Sequence, residues 1–382
     1  MRKLIFFIIV IYLGACRNQQ VPNEIIIEGN VKHIPDGKVY LTEAHRWDIF
    51  LDSTTATAGN FIFKILSDSS FYPFLASIKF PDSNSQFKTG GLMFENNHSN
   101  GFYLEKGVTI ITSDKNKLPW RMPTGGLEIP VIVNAGKQNV VYYENIMNDF
   151  GWIGKLDSSK RETRIETFKK QIKTYPYSYF LLESIFNYRT QYSKSELIDL
   201  LSIFDKEVQT SSLGDKIRRY LVNRPDLGEP LINLSVSDIN NKRHNVISKD
   251  SKLNMLVFWA SWCRPCRAEI PTLKKIHTKF RNKGLQMVSI SIDDEKQLWQ
   301  RALEQENMTW PQYIVEANEI ELVQTQYNFL GIPLIVFTDG FGKEITRFNG
   351  FSAGTEFLFM KTIDETLANN YHNQTVENQK QQ

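Results

Sequence analysis

The segment Met255–Cys266 constrains this chain more than any other stretch of its 382 residues. Met255-Leu-Val-Phe-Trp-Ala260 is an unbroken apolar run, the pattern of a strand buried on both faces. Ser261-Trp262-Cys263-Arg264-Pro265-Cys266 follows at once, and from Ala268 to Phe280 the apolar residues Ile270, Leu273 and Ile276 keep helical spacing. The two cysteines therefore fall where a buried strand ends and a helix begins. At a helix N-terminus the free amides and the macrodipole favour negative charge, which lowers the pKa of the first cysteine. Arg264 adds positive charge in the same direction, and Pro265 stands at a helix start, where its missing N–H costs nothing. Cys266 lies about one turn beyond Cys263, within reach for a disulfide.

The chain has 3 cysteines, Cys16, Cys263 and Cys266, too few for a disulfide-stapled scaffold. Zinc would need more ligands, and His244 and His277 lack ligand spacing, so no metal site is expected. A purely structural disulfide over so short a loop would constrain little chain. A peroxidatic cysteine would need no partner this close. A working dithiol is the expectation, with the Cys263–Cys266 disulfide as the only redox group and no separate cofactor.

Phe258-Trp-Ala-Ser-Trp-Cys-Arg-Pro-Cys266 resembles the active-site motif of the thioredoxin superfamily, and Arg267-Ala-Glu-Ile-Pro271 resembles its TlpA/ResA-like branch. The likeness continues through an expected strand Leu285–Ile292, a helix Glu295–Glu306, and Gly331-Ile332-Pro333 leading into a strand Leu334–Thr338. Asp339-Gly340 then turns the chain into a strand Glu344–Phe348. It covers about 140 of the 382 residues. The resemblance implies an α/β thioredoxin-like fold over 231–369, with Cys263 as nucleophile and Cys266 as resolving thiol. It gives Glu269 as the acid serving the dithiol, at i, i+3 from Cys266, although a first-turn acid is also favoured by the helix dipole alone. Trp262, Arg264, Pro265, Ile332 and Pro333 would face the substrate, with Ile332–Pro333 cis. Pro271 matches the family's helix-kink proline, and Trp259 reads as core. The sequence departs from thioredoxin itself at Val257, where a titratable acid would stand.

At the N-terminus Met1-Arg2-Lys3 precedes an apolar run from Leu4 to Leu13. A spanning helix needs about 20 apolar residues, so this is a signal-peptide core. Leu13-Gly14-Ala15-Cys16 resembles the lipobox of bacterial lipoproteins, with an ordinary secretory cleavage site as the alternative. The reading is a signal peptide over 1–15, lipidation at Cys16, a tether over 16–22, and a protein held to the membrane by its lipid in the cell envelope, facing the periplasm. A net charge of +3 argues against nucleic acid as a partner, and 41% hydrophobic residues exclude a disordered chain.

Residues 23–130 read as a β-sandwich: Glu24–Glu28, Lys38–Thr42, Phe61–Phe63, Phe102–Leu104 and Val108–Ile111 are strand-like runs between turn signals. From Val131 to Asn223 the period is helical, with a capping box at Ser193 and Glu196 and an apolar face of Leu197, Leu200, Leu201 and Phe204. The aromatics Tyr175, Tyr177, Tyr179, Phe180, Phe186 and Tyr188 read as core. Asn223–Pro230 is a linker, and Asn370–Gln382 a disordered tail. The whole is a multidomain chain: β-sandwich, helical middle segment, thioredoxin-like domain. The expected function is that of a tethered protein disulfide reductase, exchanging disulfides with extracytoplasmic proteins and fed by a membrane electron donor of thiol–disulfide type. A ligand-binding or scaffolding lipoprotein with a passenger thioredoxin fold, and a thioredoxin-fold peroxidase of the AhpC/TSA-like kind, are the alternatives.

Overall fold

The computed structural model describes residues 23–44, 46–94, 101–154, 156–226, 228–352 and 354–380. The expected signal peptide, the expected lipidation site Cys16 and the expected tether lie outside these residues. Contacts divide the chain into two compact units. One comprises the described residues of Met1–Trp152, Glu162–Ile185 and Ile203–Leu213, the other those of Ile153–Arg161, Phe186–Ser202 and Gly214–Gln382.

The first unit is built on ten strands: β1 (Glu24–Asn30), β2 (Gly37–Glu43), β3 (Arg46–Ala56), β4 (Asn60–Leu66), β5 (Phe74–Pro81), β6 (Thr89–Phe94), β7 (Phe102–Leu104), β8 (Gly107–Ser113), β9 (Trp120–Arg121) and β10 (Leu127–Asn134). Side chains alternate as a half-buried strand requires: in β1, Ile25 and Ile27 are buried while Glu24 and Glu28 are exposed. All ten strands join in one hydrogen-bonded path, β3-β2-β5-β6-β10-β8-β1-β4, with β7 on β5 and β9 on β10. The two ends of that path, β3 and β4, are consecutive in the chain and meet through the Thr57–Asn60 bridge. Ile27, Val39, Leu41, Ile78, Leu92 and Val131 are at the centre of its core.

The helical period expected from Val131 begins only at Lys137, because Leu127–Asn134 continues as strand β10. Its valines and isoleucines are stiff at χ1 and fit the pleat better than a helix turn. Six helices follow: α1 (Lys137–Asn145), α2 (Ser158–Thr174), α3 (Tyr179–Asn187), α4 (Lys194–Ile203), α5 (Lys206–Gln209) and α6 (Ser212–Asn223). The capping box forms. Ser193 Oγ accepts from the Glu196 amide at 3.2 Å, and the Glu196 carboxylate accepts from the Ser193 amide at 2.7 Å. Leu197, Leu200, Leu201 and Phe204 are buried. Of the aromatics, Tyr179 is buried and Tyr188 is exposed.

The second unit contains β11 (Ser235–Ser237), β12 (Arg243–Asn245), β13 (Leu253–Trp259), α7 (Arg264–Phe280), β14 (Leu285–Ser291), α8 (Lys296–Glu306), β15 (Gln312–Ile314), α9 (Ile320–Gln326), β16 (Leu334–Thr338), β17 (Glu344–Asn349) and α10 (Thr355–Lys380). Strand order is β12-β11-β15-β14-β13-β16-β17. β13 runs parallel to β14 and antiparallel to β16, so helix-crossed and hairpin halves meet on one central strand. Every residue of β13 is buried, as its apolar run requires. α10 continues through residues 370–380, where a disordered tail is expected, since no proline or glycine interrupts it. Among the described residues no helix is long and apolar enough to cross a membrane.

Candidate active site

β13 ends at Trp259, and the chain reaches α7 through a single turn closed by the Cys263 amide on the Ala260 carbonyl at 3.1 Å. Cys263 is the N-cap of α7, and its Sγ accepts from the Cys266 amide at 3.2 Å. A sulfur in this position takes up one of the amides a helix start leaves free, an arrangement that favours the thiolate once the pair is reduced. Pro265 occupies the first turn, as its lack of an N–H allows. Cys263 and Cys266 are both buried and are joined as a disulfide.

Cys263 Sγ lies 3.7 Å from the Ile332 carbonyl oxygen. The Ile332–Pro333 bond is cis; Pro333 is buried and Ile332 half-buried at the start of β16. On the open side, Trp262 is 63% exposed, and Arg264 and Pro265 are exposed beside it. Two chain segments therefore meet at the disulfide, Trp262–Pro265 and the loop that carries Ile332. Trp259 is buried in β13. Pro271 sits within α7, where it leaves the Arg267 carbonyl without its helical donor. Val257 is buried in β13, so no acid approaches the pair from there.

A buried acid stands on α7 instead. Glu269 is 1% exposed, and neither carboxylate oxygen has a hydrogen-bond partner. Burial alone pushes its pKa up to about 8, because a charge out of water and without a partner is costly. Its proton affinity is thereby close to that of an ordinary thiol, about 8.5.

Asp293 is a residue that sequence reasoning missed. It is buried just past the end of β14 and accepts from the Ser261 amide at 2.9 Å, from Ser261 Oγ at 2.5 Å and from Ser291 Oγ at 2.6 Å. Ser291 stands opposite Trp259 in the β13–β14 register, so this carboxylate ties the turn before Cys263 to the neighbouring strand. The available signal was a serine and an aspartate at the carboxyl ends of adjacent buried strands, where open α/β sheets place their sites. Among the described residues no group of three or more His, Cys, Asp or Glu side chains is placed to hold a metal.

Residues 250–343 match the Thioredoxin-like family. The chain is 26% identical over 125 residues to the thiol-disulfide oxidoreductase ResA of Bacillus thuringiensis, a match covering 33% of this chain and 70% of that one. It is 30% identical over 120 residues to the thiol:disulfide interchange protein HelX of Rhodobacter capsulatus, covering 31% of this chain and 64% of HelX. Among solved structures it is similar to a thiol-disulfide oxidoreductase from Bacteroides fragilis, with 21% identity and a TM-score of 0.32, covering 35% of this chain and 99% of that one. The region that carries Cys263 and Cys266 is a thioredoxin-like domain, and it is similar to the ResA and HelX thiol–disulfide oxidoreductases.

Proposed function

We propose that this protein is a membrane-tethered thiol–disulfide oxidoreductase that reduces disulfides of extracytoplasmic proteins through Cys263 and Cys266. The observation that carries the reading is the pairing of a helix-capping cysteine with a buried, unpartnered acid one turn beyond its resolving thiol. The Cys263 thiolate attacks one sulfur of the substrate disulfide; that S–S bond breaks, a mixed disulfide forms, and the other substrate sulfur leaves as a thiolate. Glu269 in its ionised form, the minor form below about pH 8, accepts the proton of Cys266, whose thiolate then attacks Cys263 Sγ. The Cys263–Cys266 bond closes, the second substrate thiolate leaves, and two electrons have passed to the substrate. A membrane donor of thiol–disulfide type would return the pair to the dithiol.

The lipid anchor at Cys16, the periplasmic location and a β-sandwich upstream of the redox domain belong to the same proposal. The test is a redox titration of the full chain in defined thiol buffers, read by Trp fluorescence, since Trp262 lies beside the disulfide. A two-electron transition near or below about −250 mV supports a reductase, and one toward about −120 mV makes the protein an oxidant. No transition leaves the scaffold reading in its place.

A further inference from the structure

A groove of about 980 Å³ opens in the second unit, bounded on one side by Ile332 and Pro333 and continuing past Gln191, Arg224, Ile345 and Arg347. Its volume is at the top of the range for ligand pockets, about 300–1,000 Å³. One wall is thus the loop whose Ile332 carbonyl lies 3.7 Å from Cys263 Sγ, so the groove leads away from the sulfur that meets the substrate. Gln191 and Arg224 bring to it residues from upstream of the thioredoxin-like region.

Arg224 stands out in it. The side chain is only 9% exposed, and its Nη1 donates to the Tyr192 carbonyl at 2.7 Å and to the Tyr220 hydroxyl at 3.3 Å. Those partners are neutral, and among the described residues Arg224 forms no ion pair. Elsewhere along the groove Arg347 pairs with Glu344 and Asp226 with Lys194 at 3.4 Å, while Glu229 and Lys343 are exposed to solvent. A buried guanidinium without a carboxylate is costly, and its planar fork is shaped to take one bidentately.

We propose that this groove receives an extended, acidic segment of the protein whose disulfide is exchanged, with Arg224 taking a carboxylate of that segment. The inference rests on the redox reading above and names the substrate class for the same site. A chain that presents a sulfur to Cys263 passes Ile332 and Pro333, and each further extended residue adds about 3.3–3.6 Å along the groove. An acid several residues from the substrate cysteine then reaches Arg224.

The test uses the full reduced chain and twelve-residue peptides carrying one cysteine as a mixed disulfide with 5-thio-2-nitrobenzoate. Each peptide has a single Glu placed at a different distance from the cysteine, or Gln in its place. The dithiol is oxidised to the disulfide, and peptide thiol and coloured thionitrobenzoate are released. In the wild type, Glu at one or more positions is expected to react about tenfold faster than Gln. That Glu-to-Gln ratio should fall to near one in Arg224→Gln and be partly retained in Arg224→Lys. Ile345→Trp, which fills the groove from an exposed strand position, should also abolish it, so the test survives if Arg224→Gln fails to fold. Equal rates for Glu and Gln peptides at every position overturn the proposal, and so does a ratio that persists in both Arg224→Gln and Ile345→Trp. Failure of the wild type to reduce even 5,5′-dithiobis(2-nitrobenzoate) overturns the redox reading itself, a result distinguishable from the others.

Discussion

Glu269 lies one helical turn beyond Cys266 on α7, sealed from solvent, with no hydrogen bond to either of its carboxylate oxygens. A carboxyl group so placed is a proton store matched to a thiol. Replacing it by Gln keeps the shape and removes the proton acceptor. In Glu269→Gln the resolving step should slow by about 100-fold, and the mixed disulfide on Cys263 should accumulate where the wild type shows none. Quenched-flow trapping followed by mass spectrometry reads this directly.

The same carboxyl links stability to pH. Its folded pKa of about 8 is above the ordinary value of 4.5, so between these two values the unfolded chain has released the proton while the folded one still holds it. Stability is therefore fully present below about pH 4.5, falls as pH rises, by up to about 1.4 kcal/mol per pH unit, and levels off above about pH 8. Urea unfolding of the wild type and Glu269→Gln across this window should show the fall in the first and a flatter profile in the second.

Cys266→Ser should leave Cys263 able to attack but unable to release, so a stable protein–substrate mixed disulfide forms. Cys263→Ser should abolish reduction altogether. A Cys263→Ser protein with undiminished reductase activity would remove the catalytic reading and favour a scaffold.

Asp293 holds the Ser261 amide and hydroxyl together with Ser291. Asp293→Ala leaves these buried groups without their acceptor and should cost about 3 kcal/mol, measured by chemical denaturation. Asp293→Asn retains an acceptor oxygen and should cost less.

Ile27 is fully buried in the core of the ten-stranded sheet. Ile27→Ala should destabilise that unit by about 2–5 kcal/mol through lost burial and the cavity left behind, read as a lowered unfolding midpoint.

The parts of this molecule legible in its sequence are those with local causes. An unbroken apolar run wrote β13, alternation wrote β1, and Ser193 with Glu196 wrote the start of α4. Cys263 and Cys266 were visible because a strand end, a proline and a helical period all point to the same turn. Asp293 and Arg224 were not. Each takes its meaning from residues distant in sequence: Ser261 in one case, Tyr192 and the groove in the other. The strand β10 runs past Val131, where a helical period is expected, because a short apolar run carries no period long enough to separate strand from helix. The helical middle was read as one block, yet its pieces are divided between the two compact units, since spacing alone says which face of a helix is apolar and not what covers it.

β13 is buried along its whole length, and this has a consequence for how the molecule breathes. Amides of such a strand exchange with solvent only when the surrounding unit opens globally, whereas exposed segments exchange through small local fluctuations. Cys263 therefore hangs from a strand whose amides should exchange slowly, and a bond can be made and broken at its tip while the strand beneath remains closed.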